Sequence, residues 1–291
     1  MNSSLLTRIE EKYPTLSKSH RKLADYILQN YEKAAYYTAA KLGEVTGISV
    51  STVVRFATQL GFDGYPEFQD ELRENIKGKL TATQRLEVAD SQMTKETVLD
   101  TVLNDDISMI RDTLRDIDRD DFLNAAHAMN KAKHIYIIGV RSSAPLARFM
   151  YFYFKMVYDN VKVISSNSSS GMFEETYRIG PDDVCIAASF PRYSKQVYNA
   201  ISYIHDKGAA IIAITDTKTS PIASLSDYVL VAKSNMASFI DSITAPMSLI
   251  TALIIAATEG KHDEIRANFT ELEHIWDLYD VYEKPEESVD E

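Results

Sequence analysis

Two rhythms of apolar and polar residues divide the chain. From Leu16 to about Lys79 the apolar positions recur at helical spacing, with Leu23, Ile27 and Leu28 on one face and Val53, Phe56 and Leu60 on another, the period of amphipathic helices. The same period continues through an acidic stretch, 81–130, where Val98, Val102, Leu103, Ile107, Ile110, Leu114 and Ile117 recur without any Gly or Pro. This stretch predicts a connecting helix whose acidic face is ordinary solvated surface. At His134 the rhythm changes to short apolar runs, 135–139, 161–165, 184–189, 210–215 and 228–232, separated by helical segments. Strands alternating with helices predict βαβ units and a parallel sheet covered on both faces. The expected architecture is an all-α domain (1–80), a connecting helical segment (81–130), an α/β three-layer domain with a parallel sheet (131–284) and a short acidic tail (285–291).

Bulk properties narrow the function classes. The 291 residues are 45% hydrophobic and 25% charged, within the range of soluble globular proteins. The longest uncharged stretch, 242–258, includes Pro246 and is shorter than the ~20 apolar residues that span a bilayer, so it reads as a buried helix. Met1 is followed by Asn2, Ser3, Ser4 and soon Glu10 and Glu11 rather than by a basic, apolar leader; a cytoplasmic protein with no membrane partner is expected. Cys185 stands in the apolar run Val184-Cys185-Ile186 and reads as a core thiol, and no Cys/His cluster suggests a metal or any other cofactor. The net charge of -11 is unevenly placed: residues 1–80 carry 11 Lys and Arg against 10 Asp and Glu, so the acidity lies in the rest of the chain. That asymmetry permits a nucleic-acid partner for the amino-terminal domain.

The stretch from Tyr37 to Leu60 carries the densest local signal. Thr38 is placed to cap a helix through Glu44 or Val45, Gly47 supplies a sharp turn, and Ser49 is placed to cap a second helix. Leu42, Val45, Ile48, Val53 and Phe56 supply apolar contacts to lock the two helices, and Gly43 permits their close approach. The start of the second helix would then expose Val50, Ser51 and Thr52, with Arg55 one turn on. Short polar side chains there can reach base edges in a major groove, and an Arg can hold a phosphate or a guanine. Thr38, Ser49, Val50, Ser51, Thr52 and Arg55 are the candidate DNA contacts; a structural helical hairpin with ordinary caps is the alternative.

From Ser49 to Phe68 the pattern S-x-S-T-V-V-R-F-x-x-x-L-G-F-x-G-Y-x-E-F, preceded by Ser17 to Ile27, resembles the RpiR family of transcriptional regulators. The resemblance implies a helix-turn-helix domain whose second helix enters the major groove of double-stranded DNA, and a homodimer that reads two half-sites.

Two loops of the α/β part suit a small ligand. The first strand ends Gly139-Val140-Arg141-Ser142-Ser143-Ala144 and runs straight into a helix near Pro145; the third ends Ser189-Phe190-Pro191-Arg192-Tyr193-Ser194-Lys195. At the carboxyl edge of a parallel sheet, such loops offer free N–H groups and a positive helix end to an anion, although serines in these places are also plain helix caps. The later runs Gly208 to Asp216, Ser220 to Ala223 and Asp227 to Leu230 resemble the sugar-isomerase (SIS) domain, which RpiR regulators carry after their helix-turn-helix. That resemblance implies a phosphosugar held by Ser143, Ser189 and Ser194. The chain departs from the family pattern where Arg141 replaces the second Gly of a G-x-G-x-S turn and where Pro191 and Arg192 interrupt the usual S-x-S-G-x-T. Arg141, Ser142 and Arg192 complete the candidate effector contacts, since arginines restore affinity for an anion that the altered backbone loses.

The alternative reading is a sugar-phosphate isomerase. Its proton transfer needs a base over the sugar, and the histidines at 127, 134, 205, 262 and 274 read as surface or structural, leaving Glu174 and Glu175 as the remaining candidates. A DNA-binding regulator of carbohydrate-metabolism genes, and not an enzyme, is the expected function.

Overall fold

The computed structural model describes residues 5–76, 80–92, 94–166, 168–236 and 238–283; the expected acidic tail, 285–291, lies outside them. The chain divides into two compact units. The first comprises residues 1–108 with two short segments from later in the chain, 191–193 and 235–242; the second comprises 109–190, 194–234 and 243–291.

The first unit is helical. Its elements are α1 (Leu5–Lys12), α2 (Lys18–Ala34), α3 (Ala39–Thr46), α4 (Val50–Gln59), α5 (Tyr65–Ile76) and α6 (Ala82–Gln92), followed by the beginning of α7 (Val98–Asp116). Leu5 and Ile9 of α1, Leu23 and Ile27 of α2, Leu42 of α3, Val53 and Phe56 of α4 and Phe68 and Leu72 of α5 meet in one core. The Phe56 ring meets the edges of Phe68 and His20 at centroid distances of 5.8 and 5.6 Å. The core is the apolar stripe of each helix turned inward, as the 3.6-residue period requires.

The second unit continues from α7 into α8 (Arg119–Lys131) and then alternates: β1 (Ile135–Gly139), α9 (Ala144–Val157), β2 (Val161–Ile164), α10 (Ser169–Thr176), β3 (Val184–Ala188), α11 (Lys195–Asp206), β4 (Ala210–Thr215), β5 (Tyr228–Val231), α12 (Thr244–Ala256) and α13 (His262–Leu278). All strand pairs are parallel and the order is β2-β1-β3-β4-β5. Alternate strand residues go to opposite layers. Ile135, Ile137, Val184, Ile186, Ile212, Ile214 and Leu230 pack on α8, α9 and α12, whereas Tyr136, Ile138, Cys185, Ala187, Ile211 and Ala213 pack on α10 and α11. Burial on both faces is why the strands read as unbroken apolar runs, and it pushes the Cys185 thiol far up from its ordinary pKa, which keeps it a core group.

The connector differs from the single helix that its period predicts: it is three helices, α6, α7 and α8. Short polar residues make the breaks. Thr94 and Thr97 exchange side-chain and backbone bonds ahead of α7, and the Asp118 carboxylate accepts from the Asp121 N–H at 3.2 Å to cap α8. Such residues compete with the helix for its own backbone groups, so no Gly or Pro is needed. Ala125, Ala126 and Met129 of α8 are buried in the sheet core.

Candidate functional site

Two places carry chemistry, one in each unit. In the first, α3 and α4 are joined by a three-residue turn. The Thr38 hydroxyl accepts from Lys41 N at 3.1 Å and the Ser49 hydroxyl from Thr52 N at 3.4 Å, so both serve as N-caps. Gly47 ends α3 at φ 64°, a left-handed conformation that favours glycine. Gly43 lies so close to the second helix's entry that a Cβ there would sit 2.6 Å from the Ile48 carbonyl oxygen. The turn is held from outside by one face of α5. Tyr65 Oη and Gln69 Nε2 both donate to the Tyr37 carbonyl at 2.6 Å, and Arg73 Nε donates to the Ala35 carbonyl at 3.2 Å. Positions 65, 69 and 73 are successive turns of one helix face. Burial raises the Tyr65 phenol well above its ordinary pKa, which preserves its proton for that bond.

The buried side of α4 is Val53, Phe56 and Ala57. Val50, Ser51, Val54, Arg55 and Thr58 face out, and Thr52 is half-buried. Ser49 Oγ lies 3.1 Å from Ser51 Oγ and 2.8 Å from Thr52 Oγ1, and Arg55 Nη2 donates to Thr52 Oγ1 at 3.2 Å. The hydroxyls therefore form a short chain that ends on the guanidinium and lays it along the helix. Leu42, Val53 and Phe56 are buried as expected and Ile48 is half-buried, but Val45 is exposed and does not join the lock. Lys22, which the motif did not single out, brings its ammonium over the turn: a Cβ on Gly47 would lie 3.5 Å from Lys22 Nζ. Its separation in sequence from the turn hides this cation from any local pattern.

In the second unit, chain direction across the sheet reverses between β1 and β3, the topological switch point where open parallel sheets hold ligands at their carboxyl edge. Gly139 and Ala188 are register partners, so the loops after β1 and β3 leave side by side. After Gly139 the chain makes a 3-10 turn over Arg141–Ser143, and Ser143 N donates to the Val140 carbonyl at 3.0 Å. A Cβ on Gly139 would lie 2.7 Å from the Ser143 carbonyl oxygen, so only glycine lets this turn fold back on the strand. Arg141 sits at φ 54°, a left-handed conformation that costs about 1–2 kcal/mol for a residue with a Cβ. Its side chain is exposed, as is that of Ser142. Ser143 and Ser189 are buried at 5% and 4% exposure, and Ser194 is half-buried.

Ser143 precedes α9 and Ser194 precedes α11, yet neither side chain makes a cap hydrogen bond. By contrast Ser17, Thr38, Ser49, Asp118 and Ser168 all cap their helices. Arg192 is exposed and belongs with 191–193 to the first unit; the second unit's own residues at this edge are Arg141, Ser142, Ser143, Ser189 and Ser194. Beyond β4 the edge also holds Thr215, whose hydroxyl donates to Asp216 Oδ1 at 3.3 Å, and Ser220, whose buried hydroxyl has no hydrogen-bond partner among the described residues. The set offers hydroxyls, helix N–H groups and one guanidinium, which is chemistry for an anionic, hydroxylated small molecule.

Of the residues weighed as bases for sugar isomerisation, Glu175, His134 and His205 each make a structural hydrogen bond. Glu175 accepts from the Ser165 and Ser166 N–H groups at 2.8 and 3.1 Å, pinning the β2–α10 loop. His134 pairs with Asp183 at 2.8 Å ahead of β1, at the amino edge of the sheet, and His205 bonds the Leu225 carbonyl. Among the described residues no cluster of His, Cys, Asp and Glu is arranged to hold a metal, and no helix is long and apolar enough to cross a membrane.

Comparison with known proteins separates the same two parts. Residues 3–79 match the helix-turn-helix domain of the rpiR family and residues 128–256 match the SIS domain. An uncharacterized HTH-type transcriptional regulator of Clostridium perfringens is 27% identical over 228 residues, 78% of this chain and 80% of the relative. The HTH-type transcriptional regulator HexR of Pseudomonas aeruginosa is 25% identical over 233 residues, 78% of each chain. The Vibrio vulnificus NanR protein, solved in complex with ManNAc-6P, superposes with a TM-score of 0.57 at 22% identity over 94% of this chain and 98% of that one. The sugar isomerase domain of an RpiR transcription factor from Sphaerobacter thermophilus gives a TM-score of 0.58 at 22% identity over 61% of this chain and 99% of that one. At these identities the two solved structures establish likeness of fold.

Proposed function

The chain belongs to the RpiR family of helix-turn-helix transcriptional regulators that carry a SIS domain, and from that premise we propose that α4 reads an operator while a phosphorylated sugar or related anion, bound at the carboxyl edge of the sheet, sets its occupancy. The genes controlled are those of carbohydrate metabolism, and the protein does not itself turn over the sugar. For the reading head the support is the outward face of α4, with Ser51 and Arg55, together with the exposed caps of α3 and α4, Thr38 and Ser49, all without a core role. Arg55→Ala is expected to weaken binding to a selected duplex by about 1–3 kcal/mol, with a salt-dependent affinity for the wild type. Gel-shift titration decides it: equal affinity for selected and random duplexes overturns the assignment.

The observation that carries the sensor reading is the pair of serines, Ser143 and Ser194, whose hydroxyls begin helices without capping them. Together with buried Ser189, exposed Arg141 and Ser142 and the α9 N-terminus, they match the needs of a phosphate group. The NanR complex with ManNAc-6P supports this ligand class on the same fold. A thermal-shift panel of sugar phosphates that includes ManNAc-6P tests it, since a ligand of the folded state raises the melting temperature. Ser189→Ala and Arg141→Ala should abolish most of that rise. A panel without any response, or variants that respond normally, removes the reading.

Dimerisation follows the same reasoning. Leu99, Leu103, Ile107, Ile110 and Leu114 form an exposed apolar stripe along α7, and α13 has no buried residue despite its 17 residues. Such faces call for a second copy. The α12 helix buries Leu249, Ile250 and Leu253 in the sheet core and leaves Ile255 exposed. Light scattering that finds only a 32.8 kDa species excludes the dimer.

A further inference from the structure

The solvent face of α4 is not uniformly polar. Val50 is 48% exposed and Val54 38% exposed; one helical turn apart, they lie on the same flank. Ser51 and Thr58 run beside them and Arg55 lies beyond, turned toward Thr52. The other side of the helix is already filled, because Val53, Phe56 and Ala57 take the core contacts. Neither valine belongs to the core of the helical unit, and each leaves more than a third of its surface to solvent. Valine is also a poor helix former compared with the lysine, glutamine or alanine that an exposed helical position ordinarily favours. Neither packing nor local propensity explains a β-branched apolar pair at this place.

A counterpart of matching chemistry exists in the proposed partner. Along the floor of the major groove the C5-methyl of thymine is the apolar group that projects furthest; its counterpart on cytosine is a bare C–H, and the remaining features are donors and acceptors. Resting on the reading that α4 enters that groove, we infer that Val50 and Val54 are specificity-determining residues that seat thymine methyl groups, so that each half-site carries thymines beneath the apolar flank and a guanine or phosphate beneath Arg55. The capping chain fixes the order of these contacts. Ser49, Ser51 and Thr52 form a hydroxyl chain that ends on Arg55, which holds the cation on the flank away from the valines, while the Thr58 hydroxyl beside them is turned to the Val54 carbonyl. The apolar and basic flanks thus read different features of neighbouring base pairs without competing.

The test removes the methyl groups and nothing else. The full chain is used to enrich duplexes from a randomised pool, and the enriched duplex is resynthesised with deoxyuridine in place of every thymidine, which preserves charge and all hydrogen-bonding edges. Wild type is expected to lose about fourfold in affinity for each methyl contact, the equivalent of one buried methylene. The double variant Val50→Ala, Val54→Ala should bind the thymidine duplex weakly and no longer distinguish it from the deoxyuridine duplex. Its melting temperature should stay near the wild-type value, because both positions are exposed. Arg55→Ala should weaken binding to both duplexes by one factor and leave their ratio unchanged. Equal wild-type affinity for the two duplexes, or full discrimination in the valine variant, overturns the inference while leaving DNA binding intact. Failure to enrich any duplex overturns the DNA-binding reading itself, and the inference with it.

Discussion

The helical unit and the sheet unit secure their functional loops by different means. In the first, carbonyls of the α2–α3 connection are taken by three side chains of α5, Tyr65, Gln69 and Arg73, and the turn into α4 depends on two glycines and two capping hydroxyls. In the second, the loops after β1 and β3 are placed by strands whose backbone bonds run along the ladder and whose side chains are buried on both faces. A reading head thus relies on a few specific side chain-to-backbone contacts, whereas a sheet edge inherits its geometry from general hydrophobic packing. The sheet's loops therefore depend less on single side chains than the helical turn does.

The largest expected effects separate the two units. Phe56→Ala should destabilise the helical unit, and Phe154→Ala the sheet unit, each by about 3–5 kcal/mol. Calorimetry of the two variants should lower different parts of the unfolding profile; identical profiles would dissolve the distinction. Gly43→Ala comes next. Its Cβ meets backbone rather than a movable side chain, so we expect a loss of about 1–3 kcal/mol in urea unfolding. Tyr65→Phe removes one buried donor and should cost about 1 kcal/mol, with a larger relative loss of duplex affinity than an exposed α5 substitution of equal stability cost. If affinity and stability fall together in both, the staple has no special role in placing α4.

The smallest effect is electrostatic and lies in the sheet unit. Arg115 and then Lys233 hold the Asp116 carboxyl below its ordinary range. A depressed folded-state pKa contributes stability that is present above the unfolded value, ~3.9, and is lost as pH falls through the folded value beneath it. Wild type should therefore lose stability across that acidic window more steeply than Asp116→Asn. Parallel urea titrations at neutral and acidic pH check the slope; equal slopes would assign no linkage to this group.

Much of both units is legible in residue order. The strand runs are matched by β1, β2, β3, β4 and β5 to within a residue at their ends, because burial on both faces imposes an apolar run that only a covered parallel sheet satisfies. The turn at Gly47 and the caps Thr38 and Ser49 are equally local. The break of the connector at Asp118 escaped that reading, since an aspartate cap in an acidic stretch resembles any other exposed aspartate. Val45 escaped it too: at helical spacing it suits the core, but the buried face of α3 is Leu42, Gly43 and Thr46, and Val45 is exposed.

The sequence by itself determined which segments are helix and strand, where the helix-turn-helix lies and which loops reach the sheet's carboxyl edge, because these follow from periodicity and from residues bonding to near neighbours. Only the tertiary structure decided what depends on distant partners. It separates Ser143 and Ser194, whose hydroxyls do not cap, from serines that do; it engages Glu175 with the β2–α10 loop; it assigns Arg192 to the helical unit; and it brings Lys22 over Gly47. A side chain's hydrogen bonds and burial are set by whatever the folded chain brings to it, and residue order alone carries no record of that company.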